Sequence, residues 1–240
     1  MKTESLDNII AQWTSIGAGF NTQPATEPVD LERLLLDTAR HASGMSRLFI
    51  MAATWLHTYG DLIAKHRLKR LIRDELEAEY RPILGLLLDI AQQGTHPLEF
   101  QTITKTLEPA TVPTPLFDID RTHPKLAERS SRNASEMSKS WNLWCAPFEL
   151  KNDALRPASW LMARHPEFIT RADFRGDLRA SILASLRFDE GAGHSEQRLA
   201  QTAGGSRAQT IASLRNLGLT GRVRSVQAPR GNRREHERVA

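Results

Sequence analysis

Apolar residues recur at helical spacing along most of this chain, and strand-like alternation is confined to its C-terminal end. Leu31, Leu34, Leu35, Thr38 and Ala39 form the stripe of one buried helix face. Asp30 stands before it as an N-cap, with Arg33 where a full capping box would have an acidic or amide residue. Residues 48–62 are almost wholly apolar (Phe49, Ile50, Ala52, Ala53, Trp55, Leu56), so this helix is expected to be buried on most sides. Gly60 marks a break. Helices are expected over about 62–79 and, after Pro82, over 83–93, with a short one at 6–13. Residues 1–93 therefore predict an N-terminal helical bundle.

The pattern changes at Gly94. Pro97, Pro109, Pro113, Pro115, Pro124 and Pro147 punctuate residues 94–157, which read as a connector with one further helix somewhere in 127–144. Trp141 and Trp144 should dock this connector on the bundle, because exposed indoles would leave much apolar surface in water. A ligand-stacking role for them lacks convergent polar groups nearby.

From residue 158 the elements become short and regularly capped. Helices at 158–164 and 167–174 lead to Gly176; Asp177 then caps a helix whose buried face is Leu178, Ile182, Leu183 and Leu186. Ser195 caps a second helix, 196–202, with Leu199 and Ala200 inward. Gly204-Gly205 supplies a tight turn, and Ser206 caps a third helix, 206–217. In that helix Thr210, Ser213, Leu214 and Leu217 share the core side. Ala208, Gln209, Ala212, Arg215 and Asn216 face outward, and Arg207 lies in the first turn. Gly218 is expected to stop the helix. Val223 and Val226 among Arg222 and Arg224, the turn residues 229–232 and the return run 233–239 predict a β-hairpin over 219–239.

Charge sharpens this picture. The whole chain carries +4, yet residues 204–240 hold eight arginines against Glu235 and Glu237, a local +6 that leaves the rest at −2. Positive charge confined to one motif suits a phosphate-binding surface; a solvated basic tail is the plain alternative. A second basic run, Lys65, Lys69 and Arg73, reads first as a solvated helix flank paired with Asp74, Glu75, Glu77 and Glu79, with a further nucleic-acid contact as the alternative.

Leu199-Ala200, Gly204, Ser206-Arg207 and Leu214-x-x-Leu217-Gly218, followed by the hairpin, resemble the winged helix-turn-helix superfamily of bacterial regulators over about residues 165–240. Thr210 departs from the pattern, since valine or isoleucine commonly fills that core position. The stretch Arg164-His165-Pro166-Glu167 with Arg171 and Arg175-Gly176, together with residues 47–56, also looks like a bacterial family that joins an N-terminal helical region to a C-terminal winged helix. The resemblance implies a mainly α fold divided as 1–93 bundle, 94–157 connector and 158–240 winged helix. It also implies sequence-specific binding of double-stranded DNA. Helix 206–217 would enter the major groove, with Ser206, Arg207, Ala208, Gln209, Ala212, Arg215 and Asn216 at the DNA, Gln209 suiting adenine and Arg207 guanine or phosphate. Arg222, Arg224, Arg230, Arg233 and Arg234 of the wing would lie on the backbone or in the minor groove.

Nothing in the sequence points to catalysis. The eight histidines form no zinc-ligand spacing, although His41, His57 and His66 fall on successive helices. Asp118-Ile-Asp120 lacks the preceding Gly-Ser of a nucleotidyltransferase, and no phosphate loop or nucleophile elbow occurs. Cys145, the sole cysteine, is expected to be a buried apolar residue of a reduced, cytoplasmic protein. The polar start Met1-Lys-Thr-Glu-Ser and the short apolar run 83–90 predict neither a signal peptide nor a membrane span. No cofactor or metal is expected. The apolar excess of residues 48–62 predicts a homodimer through the helical region. The competing function is a protein-interaction module, such as the partner or antitoxin of a toxin-like enzyme, docking through that region.

Overall fold

The computed structural model describes residues 4–93, 100–227 and 234–239. Three helices come first: α1 (Leu6–Ser15), α2 (Leu31–His41) and α3 (Ser46–Tyr59). A 3-10 turn (Gly60–Leu62), α4 (Lys65–Glu75), a second 3-10 turn (Ala78–Tyr80) and α5 (Arg81–Ala91) follow. Shorter elements are α6 (Gln101–Thr104), β1 (Thr114–Pro115), α7 (Asp118–Arg121), α8 (Pro124–Asn133), α9 (Glu136–Ser140) and β2 (Leu143–Trp144). The chain continues through α10 (Ala158–Arg164), α11 (Glu167–Phe174), α12 (Leu178–Phe188), α13 (Glu196–Ala203) and α14 (Arg207–Leu219) to β3 (Val223–Gln227) and β4 (Arg234–Arg238). The protein is thus mainly helical, with two-stranded sheets only among the described residues: a parallel β1–β2 pair and an antiparallel β3–β4 hairpin.

Two compact units divide the chain, Met1–Gly60 with Glu75–His165, and Asp61–Asp74 with Pro166–Ala240. These differ from the divisions at 93/94 and 157/158 expected from the sequence. Residues 100–165, including α10, group with the first unit, and the body of α4 groups with the second. The expected helix 62–79 is also shorter, because the chain leaves α4 at Leu76 and re-forms only a 3-10 turn.

Aromatic packing organises the first unit. Leu48, Phe49, Met51, Ala52, Ala53, Trp55 and Leu56 of α3 are all buried, and α3 packs on α2 and α5 of the same unit. Trp13 and Trp55 meet edge to face at 5.7 Å. Each indole N–H is satisfied, Trp13 donating to Thr38 Oγ1 at 2.9 Å and Trp55 to the Ile16 carbonyl at 2.9 Å. Asp30 caps α2 as expected, accepting from the Arg33 amide. Trp141 docks on α5: its indole donates to Asp89 at 2.7 Å, and its ring fills the space a Cβ at Gly85 would need, 2.3 Å away. Cys145 is buried, and burial pushes its thiol up to about 11. The helix expected within 127–144 is two helices, α8 and α9, separated by Ala134 and the capping Ser135.

The second unit is smaller and cross-linked by arginines. Its core is Leu178, Ile182, Leu183, Ala192, Leu199, Ala203, Leu214, Leu217 and Val223. Arg67 of α4 is fully buried, and its guanidinium grips Asp189, beyond the end of α12, with two bonds of 3.0 Å. Arg70 joins the same carboxylate at 3.2 Å and donates to the Thr202 carbonyl at 3.0 Å. The Arg67 amide donates to Ser181 Oγ. Arg171 of α11, also buried, donates to the Leu62 carbonyl at 3.0 Å. On the open flank of α4, Arg73 pairs with Asp74 while Lys69 is exposed. His66 belongs to this unit, whereas His41 and His57 belong to the first. Among the described residues no group of three His, Cys, Asp or Glu is arranged to hold a metal, and no helix is long and apolar enough to cross a membrane.

Candidate nucleic-acid interface

Helices α12, α13 and α14 share one apolar core, and the joint between the last two is fixed by backbone chemistry. Ser195 caps α13, accepting from the Arg198 amide at 3.1 Å. The helix ends at Gly204 in the left-handed region, φ +77°. A side chain there would be strained and would meet the His66 carbonyl oxygen of α4 at 2.2 Å. Only Gly204 of the glycine pair needs this conformation; Gly205 is required instead by the close approach of Leu178.

Ser206 starts α14 with a complete capping box. Its Oγ accepts from the Gln209 amide, and Gln209 Oε1 accepts from the Ser206 amide at 3.1 Å. The Ser-x-x-Gln spacing is legible in the sequence, yet the sequence reading sent Gln209 outward to a base. The side chain is exposed, as its helical spacing predicts, and its oxygen is also held by the cap. A bidentate bond to adenine needs both the oxygen and the NH2 group. Asn216 is similar, since its Oδ1 accepts from Arg179 at 2.9 Å. Each amide keeps its NH2 group as a donor.

The remaining outward residues are placed as their spacing predicts. Arg207, Ala208, Ala212 and Arg215 are exposed; Thr210, Leu214 and Leu217 are buried, and Ser213 is half-buried. Arg207 pairs with Glu196 at 3.3 Å, whereas Arg215 has no ion pair among the described residues. Among the described residues the Thr210 hydroxyl is buried without a hydrogen-bond partner, the physical form of its departure from an apolar residue. Gly218 does not end the helix as expected. α14 continues to Leu219, which is 83% exposed, and turns at Gly221, φ +68°. There the Arg222 amide donates to the Leu217 carbonyl and the Gly221 amide to Gly218, a Schellman closure.

The hairpin pairs Val223 with Arg238 through to Gln227 with Arg234. Among the described residues, Arg222 and Arg224 at its base are both engaged. Arg224 is paired across the strands with Glu237 at 3.0 Å. Arg222 folds back to Asp173 at 3.3 Å and stacks on the Phe174 ring, 5.0 Å from its centre. Arg230 and Arg233, expected from the sequence in the hairpin, lie outside the described residues. The backbone of Arg234 opens β4, and its side chain lies outside the description. Comparison with protein-family models, curated proteins and solved structures returns no match to this chain.

Proposed function

We propose that the second unit is a winged helix-turn-helix and that the protein binds double-stranded DNA as a regulator. In this reading α12 to α14 are the three helices, α14 reads the major groove and β3–β4 is the wing. The observation that carries the proposal is the outward face of α14. Ala208 and Ala212 give it a low profile, Arg207 and Arg215 border it with positive charge, and Gln209 and Asn216 offer amide donors. Small residues allow close approach to base edges while the arginines meet acceptors on guanine or phosphate.

A second reading, a protein-interaction module, is favoured by one set of observations. Arg222 and Arg224 already have carboxylate partners, and Leu219 exposes apolar surface beside α14. The proposals separate in a binding assay of the whole chain against duplex DNA from its own upstream region and against an unrelated duplex, across a salt series. DNA reading predicts tighter binding to one duplex, lost on Arg215→Ala. Replacing Arg230, Arg233 and Arg234 together should weaken both duplexes alike and reduce the log–log salt slope by about 2.7, at ~0.9 per phosphate contact. Equal, negligible binding to both duplexes would reject DNA reading in favour of the interaction module.

A further inference from the structure

A cleft of about 670 Å³ opens within the second unit, between the start of α11, the end of α12 and the root of the β3–β4 hairpin. Among the described residues its wall carries Arg187, Arg222 and Arg238 against one carboxylate, Glu167, with the Thr170 hydroxyl and the Leu183 side chain beside them. None of these is on the outward face of α14. Arg187 and Glu167 are paired at 2.9 Å, so the one acidic group is engaged. Arg238 has no ion pair among the described residues. Burial holds its affinity for a proton below the ordinary value, as do the neighbouring Arg187 and Arg171, with Glu167 opposing. A guanidinium does not shed its proton in a protein, so this crowding is a field waiting for an anion. Arg222 is fixed by Asp173 and Phe174, and its Nη1 is buried without an acceptor among the described residues.

We propose that this cleft binds a small phosphorylated metabolite, its phosphoryl group held by Arg187, Arg222 and Arg238 and its organic part lying over Leu183 and Thr170. Three planar guanidiniums match the tetrahedral oxygens of a phosphoryl group, which accepts paired charge-assisted bonds. The volume lies in the range of small-molecule sites and exceeds what a bare phosphate fills. Because Arg222 precedes β3 and Arg238 ends β4, an occupant would join both ends of the hairpin to α11 and α12.

Calorimetric titration of the full chain with inorganic phosphate, ribose 5-phosphate and adenosine 5′-monophosphate tests the site. The organic phosphates should bind more tightly than phosphate, and Arg238→Gln should weaken each by about tenfold or more, the worth of one charged hydrogen bond. Glu167→Gln should strengthen binding, because it removes the carboxylate that competes for Arg187; a variant that merely misfolded could not do so. Arg215→Gln on α14 should leave the titrations unchanged. Absence of heat with all three phosphates, or affinities unaltered by both Arg238→Gln and Glu167→Gln, would overturn the proposal. If duplex DNA displaces the phosphates and Arg238→Gln lowers duplex affinity equally, the cleft is instead a contact for the nucleic-acid backbone and the metabolite assignment is wrong.

Discussion

The two units of this protein hold short helices together by different means. In the first, tryptophans and phenylalanines fill the spaces, and the polar atoms they bring inside are each met by one neighbour, as Trp13 is by Thr38 and Trp141 by Asp89. In the second, the apolar residues are mainly leucine, isoleucine and alanine, and buried guanidiniums make the cross-links: Arg67 and Arg70 to Asp189, Arg171 to Leu62. A small unit with few aromatic rings has little area to bury and can use directional bonds to fix its elements. The consequence is a difference in failure. An aromatic core loses stability in proportion to the volume removed, whereas an ion-pair core fails when one partner is removed and the other is left charged.

The largest expected effect follows from that contrast. Asp189→Ala should cost about 3–5 kcal/mol in chemical denaturation, as much as truncating a large buried ring such as Trp13. Adding an Arg67→Met substitution should restore part of the loss, since the more deeply buried of the two guanidiniums that Asp189 holds is then gone. A cost below about 1 kcal/mol for Asp189→Ala would mean that other groups hold Arg67 and Arg70 in its absence, and the comparison fails.

Glycines provide the next test. Gly204→Ala combines a left-handed backbone with a Cβ driven into a rigid carbonyl, so a loss of about 2 kcal/mol or more is expected in thermal unfolding. Gly205→Ala should cost less, because the atoms in its way are the flexible end of Leu178. In the first unit, Gly85→Ala should cost about 1–3 kcal/mol by overpacking against Trp141, and Trp141→Leu should relieve that part of the cost. Equal stability of the Gly204→Ala and Gly205→Ala variants would contradict the turn described.

Thr210→Val isolates a buried polar defect. Replacing its unpartnered hydroxyl with a methyl group should stabilise the protein by about 1 kcal/mol in denaturant melts, without altering duplex binding. A destabilised variant would indicate that the hydroxyl has a partner. The smallest effect is at the cap: Gln209→Ala should lose about 0.5 kcal/mol by opening one half of the capping box. If duplex affinity falls in that variant by much more than the matching factor, Gln209 leaves the cap to reach a base.

The C-terminal helices were legible because their signals are local. Ser195, Ser206 and Asp177 cap the helices they precede, and Thr210, Leu214 and Leu217 fall on one face at helical spacing. Where local reading failed, a competing local pattern was present. Gly218 could have stopped α14, but Gly221 takes the left-handed position three residues later and the helix runs through. Gln209 does face outward as its spacing predicts, and its oxygen also closes the capping box. The cleft left no sequence trace, because Glu167, Arg187, Arg222 and Arg238 are far apart along the chain, and of these the sequence marks only Arg222, as a wing contact to DNA.

The sequence by itself determined the mainly helical character, the caps and turns from Asp177 onward, the inward and outward faces of α14 and the alternation that makes the hairpin. These depend on residues within a few positions of one another, where backbone geometry and side-chain period act directly. Tertiary structure alone decided that α4 belongs with the second unit, that Asp189 is the counter-ion of a buried arginine and that α3 spends its apolar face inside the first unit. It also decided which arginines of the basic tail are neutralised. Those outcomes turn on which distant groups meet away from water, where a charge must find its partner or leave the interior, and spacing along the chain carries no record of that meeting.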